Sequence, residues 1–320
     1  MHLLRILTDA KSDIMKRRDF IKKSIGAGLF TGSLLSMGNY GKIFANTANN
    51  SSVNYDLVAI KGGEPDKMFE RAMEAMGGMS KYVKPGQKVV VKPNIGWDVT
   101  PEKAANTNPK LVSAIVRQCF DAGASKVYVF DHTCDEWRKT YSNSGIEKAA
   151  KEAGATVAPG HTESYYQKVD IPKGKKLKEA KEHELILESD VFINVPILKD
   201  HSSARMTIAM KNLMGVVWDR GFWHRNGLHQ CIADFASYRQ PDLNIVDAYR
   251  VMLRNGPRGV SVNDVTTMKY LLMSDDIVAV DAASAKIFGS DERVPHIQMG
   301  DELGYGEADL SKLKIGRLKI

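Results

Sequence analysis

The chain is poor in cysteine. Its 320 residues hold three, Cys119, Cys134 and Cys231, which cannot all pair, and none falls in the C-x-x-C spacing of a zinc ribbon or a ferredoxin cluster. Disulfides are therefore optional, and no iron–sulfur cluster is expected in this chain. At this length a hydrophobic core suffices without staples. Long apolar runs are missing too: Ser24 to Tyr40 is too short and too rich in glycine to span ~30 Å of hydrocarbon, so no permanent membrane anchor is expected. No internal repeat of roughly 20 to 50 residues is present. Finally, the body lacks an excess of one charge. Eight of the 45 Lys/Arg and three of the 38 Asp/Glu lie in residues 1–45, so the formal +7 falls to about +2 beyond them. A nucleic-acid partner thereby loses its electrostatic ground.

What is there begins with a basic leader. Lys16-Arg17-Arg18-Asp19-Phe20 precedes the weakly apolar stretch, and Phe44-Ala45-Asn46-Thr47-Ala48 follows it. Paired arginines (Arg17, Arg18), an aromatic two places later (Phe20) and a modest apolar region resemble a twin-arginine export signal. The expectation is a signal segment over 1–48, cut after Ala45 or Ala48, a linker over 49–54 and a folded domain over 55–320. The twin-arginine translocase is then a partner during export, and the destination is periplasmic or otherwise extracytoplasmic. Met15, just before the motif, is a second candidate start.

Beyond the linker, apolar runs of four to six residues alternate with helical patterns, the signature of βαβ units. This predicts an α/β fold with a mainly parallel sheet flanked by helices, in one body or in two α/β lobes. Expected strands are Tyr55–Ile60, Lys88–Lys92, Val127–Phe130, Val157, Val191–Val195, Leu243–Val246 and Tyr270–Ser274. Expected helices are Pro65–Met79, Pro109–Ala122 (capped by Asn108, closed by Gly123), Gly145–Ala153, Ser203–Met214, Leu228–Tyr238 and Ile277–Phe288. Ser164 to Glu188 reads as a polar hairpin around Lys173–Lys176 rather than a crossover. Cys119, in an apolar helical pattern, reads as a buried small hydrophobe.

In open parallel sheets ligands gather beyond the carboxyl ends of the strands. Four apolar runs end in polar clusters there: Lys92-Pro93-Asn94, Asp131-His132, Lys199-Asp200-His201 with Ser202 or Ser203 as a helix cap, and Asp247. Lysines with Asn and a helix N-terminus suit a carboxylate or phosphate, while Asp131 with His132, or Asp247 with His201, would supply acid/base chemistry. Lys211-Asn212 interrupts an otherwise apolar helical pattern, and a buried lysine needs a partner or a ligand. The Asn, Asp and His set leaves room for a divalent metal, but no pair has a diagnostic spacing; His224 and His229, five apart, share no helical face. Gly256-Pro257-Arg258-Gly259 reads as a turn, on the surface or over the pocket. Trp97, Trp137, Trp218 and Trp223 fall near these motifs, either as ligand platforms or as packing.

VVVKPN at Val89–Asn94, Thr107-Asn108-Pro109, Pro196-Ile197-Leu198-Lys199-Asp200-His201, Met210-Lys211-Asn212-Leu213-Met214-Gly215, Asn255–Gly259 and DIVAVD at Asp276–Asp281 together resemble the family catalogued as domain of unknown function 362, over roughly residues 55 to 300. The resemblance implies Lys92, Asn94, Lys199, His201, Lys211 and Asn212 as site positions, with Asp247 and Asp281 as acidic candidates. Some members look like ferredoxin fusions with redox roles; this chain lacks their cluster cysteines, so that role does not carry over. The Lys-Pro-Asn segment is also distantly similar to the nickel-pincer lactate racemase group, from which no reaction is carried over. Two functions follow as expectations. The first is an enzyme on a small anionic molecule, with Lys92, Asn94, Lys199, Lys211 and Asn212 binding it and His201, Asp131 and Asp247 moving protons. The alternative is a non-catalytic accessory module of an exported iron–sulfur redox partner.

Overall fold

Strands form where short β-branched runs are bounded by turn residues. In a computed structural model, which describes residues 54–289 and 294–320, they are β1 (Leu57–Lys61), β2 (Lys88–Pro93), β3 (Lys126–Val129), β4 (Thr156–Val157), β5 (Tyr166–Asp170), β6 (Glu179–His183), β7 (Val191–Val195), β8 (Ile197–His201), β9 (Arg205–Thr207), β10 (Leu243–Met252), β11 (Val265–Ser274) and β12 (Ile315–Lys319). The segment holding Arg17, Arg18, Phe20 and both expected cleavage sites lies outside the described residues. Among the described residues no helix is long and apolar enough to cross a membrane.

All strands but β5 and β6 join one ten-stranded sheet in the order β12-β1-β11-β10-β7-β2-β3-β4, with β8 on β10 and β9 on β8. Pairing is parallel except around β11 and between β8 and β9. The two α/β stretches of the sequence therefore share one sheet and are not separate lobes. Val89, Val90 and Val91 in β2 are fully buried because both faces are covered. Val89 and Val91 pack with helices Pro65–Ala75, Pro109–Asp121 and Ile146–Glu152; Val90 packs with helices Leu228–Ala236, Ile277–Phe288 and Pro295–Glu302. Each such side chain contributes about 1.5–3 kcal/mol over an exposed one. Helix Pro109–Asp121 begins as its sequence requires: Asn108 accepts from Lys110 N at 3.0 Å, Pro109 follows, and Gly123 past the end takes φ 94°.

One expected helix is absent. Over 203–214 the chain instead makes β9, a single helical turn at Ala209–Asn212 and a 3-10 turn at Leu213–Val216. The segment is buried on nearly every side, and an apolar run without a solvent face carries no period to tell helix from extended chain. What breaks the helix is pairing: Lys199 opposite Thr207 and His201 opposite Arg205 form a hairpin. Ser203 consequently caps no helix.

The polar segment after β4 is the expected hairpin, β5 antiparallel to β6. It carries an anomaly. Glu182 is fully buried and neither carboxylate oxygen has a hydrogen-bond partner among the described residues; burial pushes its carboxyl up to about 8, against a weak pull from Arg239. Between its ordinary 4.5 and that value the folded chain holds a proton that the unfolded chain has released, so stability falls as pH rises through this window. Glu182→Gln is expected to stabilise the fold at pH 8 by ~2–4 kcal/mol and to change little at pH 4.5. Urea midpoints at both pH values read this directly; equal shifts at the two would refute it.

Candidate functional site

The carboxyl ends of β2, β3 and β7 lie side by side because these strands are parallel neighbours, so the residues that follow them share one rim. Pro93 ends the β2 ladder opposite Val195 and frees the chain to turn. Beyond it opens a cavity of about 280 Å³.

Its floor is a buried polar network. Lys92 and Lys199 are each 1% exposed. The Lys92 ammonium lies 2.9 Å from Asp131 Oδ1 and donates to Asn212 Oδ1 at 2.9 Å and to the Asn212 carbonyl at 2.7 Å. Asn94 Nδ2 donates to the same Asn212 Oδ1 at 3.0 Å, while Asn94 Oδ1 accepts from Lys199 at 3.0 Å. Asn212 is held from behind by donating to Asn194, which donates in turn to Asn244. Networks of this kind fix geometry, although Asp131 Oδ1 meets Lys92 as an ion pair and accepts no hydrogen bond among the described residues. Asp131 is spent within it, since Oδ2 accepts from Ile95 N at 2.7 Å; it is the counter-ion of Lys92.

Three further cations reach the cavity: Lys199, Lys211 and Arg220, so four basic side chains face Asp131 as the one carboxylate of the lining. Burial pushes the ammonium of Lys92 down, with Asp131 opposing; it pushes Lys199 down to about 7 and Lys211 to about 8. Lys211 makes no hydrogen bond and no close ion pair among the described residues, and Asp131 attracts it only from a distance. Arg220 is different, donating to the carbonyls of His132 and Thr133.

Two histidines of the lining hold opposite tautomers. His201 Nδ1 accepts from the backbone N–H groups of Ser203 and Ala204, both at 3.3 Å, so its ring proton sits on Nε2. Burial, then Lys211 and Lys199, drive its pKa far below the ordinary range, keeping it neutral. His132 Nδ1 lies 3.0 Å from the Val217 carbonyl. A carbonyl only accepts, so Nδ1 carries the proton and Nε2 a lone pair. Burial holds this ring at about 4, and it stacks on Trp218 with centroids 5.0 Å apart. His201 is thus a fixed donor and His132 a fixed acceptor.

Lys92, Asn94, Asp131, Lys199, His201, Lys211 and Asn212 all line the cavity. Asp247 does not. Its carboxylate accepts from Asn108 N at 2.8 Å and Tyr249 N at 3.0 Å, tying the start of helix Pro109–Asp121 to β10, with burial pushing it up to about 6. The expected His201–Asp247 pair is therefore not formed, nor does Asp131 touch His201. Asp281 also lies elsewhere, accepting from Ala209 N at 2.6 Å and Met210 N at 3.0 Å, and so anchors the turn that presents Lys211 and Asn212.

The sequence reading gave no site role to Arg220, His224, Cys134 or Gly215, all of which line the cavity; Gly215 stood inside a quoted motif, the others carried no periodic signal. The turn at Gly256-Pro257 folds over the pocket: Pro257 is in the lining and Gly256 N donates to Asp200 at 3.0 Å. Of the tryptophans, Trp97 lines the cavity, Trp137 stacks on His161 and Trp223 is core. Among the described residues no three His, Cys, Asp or Glu side chains group as a metal ion would need.

Over 241 residues the chain is 27% identical to the thylakoid-associated protein sll1697 of Synechocystis sp., covering 72% of this chain and 73% of that one. Its backbone is similar to a lactate racemase apoprotein from Thermoanaerobacterium thermosaccharolyticum (TM-score 0.42, 12% identity, 68% of this chain) and to a crystal structure of a Thermotoga maritima protein (TM-score 0.45, 9% identity, 76% of this chain). The chain spans 54% and 60% of the lengths of those two structures. The family described as Domain of unknown function (DUF362) matches residues 89–286, and the chain belongs to it.

Proposed function

We propose that the protein binds a small carboxylate or phosphate in this cavity and acts on it as an enzyme of proton transfer. The observation that carries the reading is the ammonium of Lys211, without a hydrogen bond or close ion pair among the described residues, in a cavity with four basic groups and one carboxylate. An anion supplies what Lys211 lacks, and a positively lined cleft concentrates anions. For proton transfer Lys199 is the better-placed group than the histidines. Near neutral pH it interconverts between ammonium and amine, and as an amine its two N–H bonds are taken by Asn94 Oδ1 and the Ala105 carbonyl, which leaves its lone pair for the cavity. His201 Nε2–H is placed to donate to charge developing on the bound molecule.

The test is the pH dependence of binding. Malonate, a dicarboxylate ionised throughout the range, is titrated calorimetrically from pH 6.5 to 9. As Lys199 (about 7) and Lys211 (about 8) lose their protons, affinity is expected to fall by roughly tenfold or more, about 1.4 kcal/mol. Binding that is absent at pH 6.5, or that does not weaken by pH 9, would sink the reading.

A further inference from the structure

Cys119 and Cys231 are buried, whereas Cys134 is exposed and lines the same cavity as the three lysines. Its position is set by the loop after β3: Cys134 N donates to the Gly96 carbonyl at 2.8 Å, and Arg220, fixed by its bonds to the His132 and Thr133 carbonyls, places Nη1 3.6 Å from the sulfur. An exposed thiol therefore lines a cavity in which Lys211 makes no hydrogen bond among the described residues. The thiol has no part in the proton transfer proposed above.

We propose that Cys134 is a nucleophile of the pocket, alkylated selectively by small anions that carry an electrophilic carbon, their anionic group resting on Lys211. The inference depends on the anion-binding reading. In the step itself the sulfur's electron pair forms a C–S bond as the bond to the leaving group breaks; the leaving group departs with its electrons and the thiol proton passes to solvent. No oxidant or cofactor enters.

Iodoacetate and iodoacetamide deliver the same two-carbon unit and expel the same iodide, but only the first is anionic. The folded protein is treated with each, adduct formation at Cys134 is followed by peptide mass spectrometry, and the urea-unfolded chain gives the reference ratio of the two rates. The expected result is an iodoacetate-to-iodoacetamide ratio at least about tenfold above that reference, the scale on which a charged cleft enriches its counter-ion. Lys211→Met is expected to return the ratio to the reference, and saturating malonate to protect Cys134 in the wild-type chain. Cys134→Ser removes the adduct and leaves Cys119 and Cys231 unlabelled. A reference-like ratio in the wild-type protein overturns the proposal. If malonate still binds in that case, the nucleophile inference alone has failed; if malonate does not bind either, both readings have.

Discussion

Lys211→Met is expected to weaken malonate affinity by about 10- to 100-fold, while the melting temperature stays level or rises. The two halves of that result have different causes. On the ligand side, a charged hydrogen bond in a sheltered pocket is worth ~1.5–3 kcal/mol, which is ~10 to more than 100-fold in affinity, and the other lysines cannot take over, since Lys92 is committed to Asp131 and Asn212 and Lys199 to Asn94 and Ala105. On the folding side, partial burial of an ammonium that makes no hydrogen bond among the described residues opposes its charged form. Methionine keeps the chain length and flexibility while removing that cost. Calorimetric titration beside a thermal melt decides it. Affinity retained within threefold would show that the anion sits elsewhere, and a collapsed fold would show Lys211 to be structural.

Gly215→Ala is expected to be the most damaging single-carbon change in the pocket. A Cβ built on Gly215 would lie 1.9 Å from Asp131 Oδ1 and 2.4 Å from Lys92 Nζ, inside the van der Waals radii of a buried ion pair. Something has to move. Both partners are anchored, Asp131 to Ile95 N and Lys92 to Asn212, so the methyl group must part them or push the 3-10 turn outward. Disrupting a buried pair costs ~3–5 kcal/mol, and overpacking alone ~1–3 kcal/mol; a loss near 3 kcal/mol by urea denaturation is expected. Gly96→Ala is the matched control, because it borders the same cavity yet its added carbon meets nothing nearer than Asn94 Oδ1 at 3.6 Å. Equal stability of the two variants would remove steric closeness as the reason for glycine at 215.

The elements bounded by caps, turn residues or proline were legible in the sequence. Helix Pro109–Asp121 is announced by Asn108, Pro109 and Gly123, and β2 by three valines ended at Pro93. The extra length of β10 and β11 was not: the polar Asp247 reads as the end of β10, and Thr266, Thr267 and Lys269 read as loop before β11, although the two distal halves pair with each other, Arg250 opposite Thr267 and Met252 opposite Val265. In the site, polar residues just past apolar runs converged as the parallel geometry demands, which is why Lys92, Asn94, Lys199 and His201 were found. Asp247 and Asp281 failed the same rule for a local reason: each carboxylate faces backbone N–H groups of a neighbouring segment. A sequence names an acid but not the amide it will meet.

The placement of β1 bears on how the chain comes to be folded in time. On one side β1 pairs with β11 and on the other with β12, and the residue before it is fastened to the same partners. Ser274 Oγ donates to the Asp56 carbonyl across 218 residues of sequence, and Lys314 N to the Asp56 carboxylate across 258. The first strand of the described chain thus has no neighbour in the sheet until the last have been synthesised. Contacts this distant in sequence slow folding, since a long loop must be closed before any pairing rewards it. A growing chain can assemble β2, β3 and the helices around them early, whereas β1 waits with an open edge for the C-terminal strands.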